Sequence, residues 1–97
     1  MRNWDAFTTA GEEMRGMWGR FPEEAERDLM EAHYAAGNAL LDRGSIPMPE
    51  HSSPMLREAS VRIQRTLKKY RGCFPTSLRR ALRALQDVLD NPEGLYS

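Results

Sequence analysis

The sequence has a single cysteine, Cys73, and two histidines, His33 and His51. One cysteine excludes an internal disulfide and a cysteine metal cluster. No second histidine or carboxylate stands at ligand spacing beside His33, so a hydrogen-bonded, buried histidine is the expected reading and no metal site is expected. No apolar run approaches the ~20 residues that a membrane-spanning helix needs, and no signal peptide stands out. A cytoplasmic location without a membrane partner follows as the expectation. A glycine-rich phosphate loop is lacking. So is a nucleophile set beside a base and an orienting group. The serines sit at helix caps and in a linker, which accounts for them. The neighbouring carboxylates Glu12 and Glu13, and Glu23 and Glu24, read as solvated helix starts and not as an acid–base pair. Cys73 has basic neighbours, Lys69 and Arg71, that would make it reactive, yet a lone cysteine in a turn reads as incidental. The chain is therefore read as non-enzymatic, with no catalytic residue, no cofactor and no metal.

What is present is an ordinary globular composition, 40% hydrophobic and 29% charged over 97 residues. That length fits one domain that buries roughly 60–70% of its unfolded surface. The formal net charge is zero, but the charge is unevenly placed. Residues 1–50 hold ten acidic side chains against five basic ones. Between Arg57 and Arg83 the balance reverses: Arg57, Arg62, Arg65, Lys68, Lys69, Arg71, Arg79, Arg80 and Arg83 stand against Glu58 alone, a net +8. Asymmetry of this kind points to an anionic partner for the basic half. The plainer alternative is that the two halves neutralise each other within the fold.

Periodicity predicts an all-α chain, a small four-helix bundle made of two helical hairpins, with helices over 3–20, 22–43, 54–71 and 76–90 and no strand. In the first helix Trp4, Phe7, Met14, Trp18 and Phe21 follow helical spacing, and Gly11, Gly16 and Gly19 weaken it by about 1 kcal/mol each. Its aromatic stripe is expected to pack in the core. The alternative is a protein-binding face made of Trp4, Phe7 and Trp18. Should one chain fail to cover both tryptophans, a two-fold homodimer through that stripe is expected. The second helix opens on Pro22 with Glu23 and Glu24 at the positive end of its dipole. Ala25, Leu29, Ala32, His33, Ala36 and Leu40 form its apolar stripe. Ala32, Ala35, Ala36, Gly37 and Ala39 make its middle thin, so that a neighbour can approach closely. Residues 44–54, with three prolines, read as a linker that leaves His51 solvated, and 91–97 as a tail. Ser53 and Pro54 read as the cap and first turn of the third helix, and Gly72 as its stop. The expected core includes Leu29, Leu40, Ile63, Leu67, Leu82 and Leu85.

Gly19-Arg20-Phe21-Pro22 is echoed by Gly72-Cys73-Phe74-Pro75. Arg27 and Leu29 stand at the offsets of Arg80 and Leu82, which suggests two helical hairpins of similar build; because glycine ends helices and proline starts them, shared turn chemistry is the preferred reading.

The candidate anion-binding or nucleic-acid-binding residues are Arg62, Arg65, Lys68, Lys69, Arg79, Arg80 and Arg83. The three on the fourth helix lie in its first two turns, where the dipole disfavours cations by about 0.3–1 kcal/mol each. An anion from outside, either the phosphates of a nucleic acid or the carboxylates of an acidic protein surface, or pairing with Glu23 to Glu31 of the second helix, are the explanations for them. Arginine and lysine at helical spacing suit phosphate contacts without base reading. The third and fourth helices, joined through a glycine, resemble a helix-turn-helix, but the turn at 71–75 is too long for one. A nucleoprotein-complex subunit is the better fit. The alternative is a small protein-interaction or inhibitory protein that docks on another protein, since small motif-free helical chains are common among phage and mobile-element products.

Overall fold

The computed structural model describes residues 3–45 and 49–91, with side chains from Trp4 to Leu41 and from Pro54 to Asn91. Four helices follow in order: α1 (Asn3–Gly16), α2 (Glu23–Ser45), α3 (Pro49–Lys69) and α4 (Thr76–Asp90). Among the described residues there is no strand. The helices form a ring in which each packs on its chain neighbours and α1 closes against α4, while the diagonal pair α2 and α4 barely touches. The most extensive packing joins α2 to α3.

Small side chains set this arrangement. Ala6 and Ala10 of α1 and Ala25, Ala32, Ala36 and Ala39 of α2 are fully or almost fully buried. Helix axes can approach closely where alanines meet, and the larger Leu29, Leu40, Ile63, Leu78, Leu82, Leu85 and Leu89 fill the centre. The expected core residues are all buried except Leu67, which lies half-buried at its edge.

Several expected boundaries move. α1 ends at Gly16, not at residue 20. Residues 17–20 form a turn in which Met17 N–H donates to the Met14 carbonyl and Gly19 takes φ +89°, a left-handed conformation open to glycine. α3 ends at Lys69 and not at 71. Its start differs more: Pro49, not Pro54, opens it, and Ser53 lies within the helix instead of capping it. Pro49 has the pre-set φ of a first helical position. Pro54 sits early enough in α3 that its missing N–H removes one bond in the second turn. The expected linker at 44–54 is thus helical at 44–45 and 49–54. Residues 46–48, the 92–97 portion of the expected tail and the side chain of His51 lie outside the described residues.

The aromatic stripe of α1 is not the core face. Trp4 and Trp18 are 42% and 48% exposed. The core face of α1 is Ala6, Ala10 and Met14; of the rest of the expected stripe, Phe7 and Phe21 are partly buried against the core, Trp4 lies beside Phe7, and Trp18 stands in the turn beyond α1. Phe7 stacks on His33 with ring centroids 3.9 Å apart, and Trp4 meets Phe7 edge-on at 5.4 Å. His33 Nε2–H donates to the Phe7 carbonyl at 2.9 Å, which satisfies the half-buried imidazole. Glycine is required opposite this stack: a Cβ on Gly37 would lie 2.9 Å from Phe7 ring atoms. Gly37→Ala is therefore expected to destabilise by about 1–2 kcal/mol. The overpacking outweighs the helix-propensity gain of about 1 kcal/mol. Thermal melting checks this, and a raised Tm would contradict it.

The glycine-phenylalanine-proline echo extends far beyond turn chemistry. Shifted by 53 positions, the first hairpin becomes the second. Buried Ala6 and Ala10 correspond to buried Ala59 and Ile63; buried Ala25, Leu29, Ala32 and Ala36 correspond to buried Leu78, Leu82, Leu85 and Leu89. Two backbone bonds of the turns correspond. Arg20 N–H donates to the Met17 carbonyl (3.1 Å) as Cys73 N–H donates to Tyr70 (2.9 Å). Glu26 N–H donates to Pro22 (3.1 Å) as Arg79 N–H donates to Pro75 (3.0 Å). The two turns lie together at one end of the bundle, where Phe21 and Phe74 meet edge-on at 5.2 Å.

Candidate anion-binding face

The amphipathic pattern of α3 puts Leu56, Ala59, Ile63 and Tyr70 inside and its cations outside. Those cations do not form one face. α3 is flanked by two grooves, and the candidates divide between them.

Arg62, Arg65 and Lys69 line the groove between α2 and α3, of about 960 Å³, together with Arg57 and the acids Asp28, Glu31 and Glu58. Here positive charge is matched locally. Arg62 pairs with Glu58 one turn away at 3.3 Å, and Lys69 pairs with Asp28 of α2 at 3.6 Å. Asp28 also accepts the Tyr70 hydroxyl at 2.7 Å, and the Lys69 ammonium lies 5.1 Å from the Tyr70 ring centre. Accepting that bond, the Asp28 carboxylate holds the Tyr70 phenol above its ordinary value, and burial adds to it. The Lys69 ammonium is raised as well, by the Tyr70 oxygen first and then by Asp28. Both groups have folded-state values above their unfolded ones. Their contribution is thus complete at neutral pH and is lost as pH rises through the folded values, above about 10. Urea titrations between pH 7 and 11 are expected to show stability falling at the alkaline end, and Tyr70→Phe should flatten that fall. An unchanged profile would contradict the assignment.

Lys68, Arg79 and Arg83 line the other groove, between α3 and α4, of about 530 Å³, with Arg71, Gln64 and Gln86. Asp87 and Asp90 also line it; they follow Arg83 along α4, at the end remote from the turn, and Asp90 accepts the Ser60 hydroxyl. Among the described residues no ion pair engages these cations, and none links α4 to the acidic helix α2. The ring order is the reason, since α2 and α4 are diagonal. α4 has no acidic residue in its first turn, and Pro75 at its cap gives no side-chain hydrogen bond. Arg79 Nη2–H donates to Thr76 Oγ1 at 3.2 Å, while its Nε–H is shielded from solvent with no acceptor. Arg80 is exposed and lines neither groove.

Arg71 is the residue that pattern reading left out of the set. It had been assigned to the end of α3, but it lies beyond the helix, in the turn. Its counterpart 53 positions earlier, Trp18, is also exposed, and the shift itself was the available signal. Cys73 is exposed in the same turn. Among the described residues no three His, Cys, Asp or Glu side chains converge to hold a metal ion.

Fold and site together define a small all-α bundle built from two corresponding hairpins, one of which carries a basic groove. Comparison of the chain with protein-family models, with characterised proteins and with solved structures finds no match.

Proposed function

We propose that this chain is a non-enzymatic binding module that docks the phosphate backbone of a nucleic acid along the turn end of α3 and α4. The carrying observation is the convergence of Lys68, Arg71, Arg79 and Arg83 on one groove with no ion pair among the described residues. One of them, Arg79, stands in the first turn of α4 and Arg80 follows it, both near the positive end of its dipole. Stability alone favours acids there, as in α2, whose first turn holds Glu23, Glu24 and Glu26. The arrangement suits phosphate contacts and includes no element that reads base edges, so binding is expected to be largely independent of sequence.

Fluorescence anisotropy with labelled mixed-sequence oligonucleotides across a salt series tests this. The logarithm of affinity should fall linearly with the logarithm of salt concentration, with a slope of about −0.7 to −0.9 per phosphate contact. No binding at low salt, or binding that salt leaves unchanged, would overturn it. A protein partner is the second reading, favoured by the exposure of Trp4 and Trp18; Phe7 contributes less to it, because its ring is engaged by His33. Binding of that kind would persist at high salt.

A further inference from the structure

The residues that line the α3–α4 groove have counterparts of different chemistry in the first hairpin. The residues lining the α3–α4 groove correspond, 53 positions earlier, to the outer side of the first hairpin, where Gly11, Trp18, Met30 and His33 stand in place of Gln64, Arg71, Arg83 and Gln86. Even the tie between the helices recurs. Phe7 packs against Gly37, and their counterparts Ser60 and Asp90 are hydrogen-bonded.

Two pairs of equivalent positions reverse their charge, Glu12 with Arg65 and Glu26 with Arg79, and the second bears on this groove. Glu26 corresponds to Arg79, and both follow the turn proline by four residues. In the first hairpin the turn supplies its own anion: the Glu26 carboxylate accepts the N–H of Gly19. In the second hairpin the same position brings a guanidinium. Its Nε–H has no acceptor and is closed off from water. Lys68, Arg71 and Arg83 line the groove with it. Asp87 and Asp90 lie eight and eleven residues beyond Arg79 on α4, about 12 and 16 Å along the helix, so positive charge dominates the turn end.

We infer that the α3–α4 groove contains a seat for one phosphate group, which meets the Arg79 guanidinium between Lys68, Arg71 and Arg83. The inference rests on the anionic-partner reading but is narrower: it assigns one seat in place of a diffuse basic surface. A planar guanidinium flanked by further cations suits an oxyanion with several acceptor oxygens. Both a backbone diester and a terminal monoester present that chemistry.

The test uses the full chain labelled with nitrogen-15 and three probes: inorganic phosphate, a mixed-sequence oligonucleotide ending in a 5′-hydroxyl, and the same oligonucleotide with a 5′-phosphate. Inorganic phosphate should move the Arg79 Nε–H resonance saturably and leave that of Arg80 in place. Arg79→Glu returns the turn to the chemistry of its twin. It should melt no lower than the parent chain and bind the oligonucleotide about tenfold or more weakly. Arg80→Glu makes the same change in net charge outside the groove and should lose clearly less. Arg79→Gln, which removes the charge without reversing it, serves if the glutamate variant fails to fold. Equal affinity for the two oligonucleotides assigns the seat to backbone diesters, and preference for the 5′-phosphate assigns it to a monoester. An Arg79 resonance that phosphate leaves unmoved, or equal losses in Arg79→Glu and Arg80→Glu, overturns the seat and leaves the broader basic-face reading standing. If no oligonucleotide binds but inorganic phosphate still moves Arg79, the nucleic-acid reading falls and the seat stands.

Discussion

Exchanging Arg79, Arg80 and Arg83 together for glutamine is expected to abolish oligonucleotide binding at physiological salt while the bundle stays folded. The two halves of this result have separate causes. Binding falls because each lost phosphate contact removes about one unit from the slope of log affinity against log salt. Arg79 and Arg83 line the groove and Arg80 stands outside it, so their loss leaves Lys68 and Arg71 as the only cations lining the groove. Folding survives because none of the three arginines pairs with a carboxylate among the described residues, and cations in the first turns of α4 oppose its dipole at about 0.3–1 kcal/mol each. Relieving the unmatched Nε–H of Arg79 acts in the same direction. The Tm is therefore expected to be equal to or above that of the parent chain. A variant that is clearly less stable yet binds as before would move the binding face elsewhere, with the exposed flank of Trp4 and Trp18 next to be tested.

Leu85→Ala is expected to cost about 2–5 kcal/mol, against a total stability of roughly 5–15 kcal/mol for a domain. Leu85 is completely buried. It sits in the central turn of α4, inside a ring of four helices, where every neighbour is held by another and collapse around a cavity is limited. At about 4–8 °C per kcal/mol for a domain of this size, the Tm should fall by at least ~8 °C. Leu67→Ala is the internal comparison. Leu67 is only partly buried and lines the α3–α4 groove, so less apolar area is lost and the groove can relax; its cost should be clearly smaller. Chemical denaturation of the two variants side by side checks this. Equal effects would mean that the centre of the core is misplaced.

Helix number, order and type were legible in the sequence because they depend on local rules. The leucines of α4 recur at helical spacing, Gly72 and Pro75 bracket a turn, and the acids of α2 mark its start. These signals act within one or two turns of chain and need no partner. The beginning of α3 was not legible. Pro49 and Pro54 are both acceptable in a first helical turn, and local chemistry does not choose between them.

Only the tertiary structure decided which stripe of α1 faces inward. Trp4, Phe7 and Trp18 follow helical spacing, and so do Ala6, Ala10 and Met14. Hydrophobicity alone favours the aromatics, but α1 packs mainly against α4, with Ala6 and Ala10 completely buried, while Phe7 lies against Gly37 and His33 of α2 and Trp4 stays exposed beside it. The division of the cations had the same origin. Lys68 and Lys69 are adjacent in sequence and were read as one face, yet about 100° of helical rotation separates them, enough to send Lys69 to Asp28 of α2 and Lys68 to the α4 groove. The sequence determined how much positive charge the second hairpin carries. The ring order of the helices decided which of it meets the carboxylates of α2 and which stays without an ion pair among the described residues, because that order keeps α4 diagonal to the acidic helix.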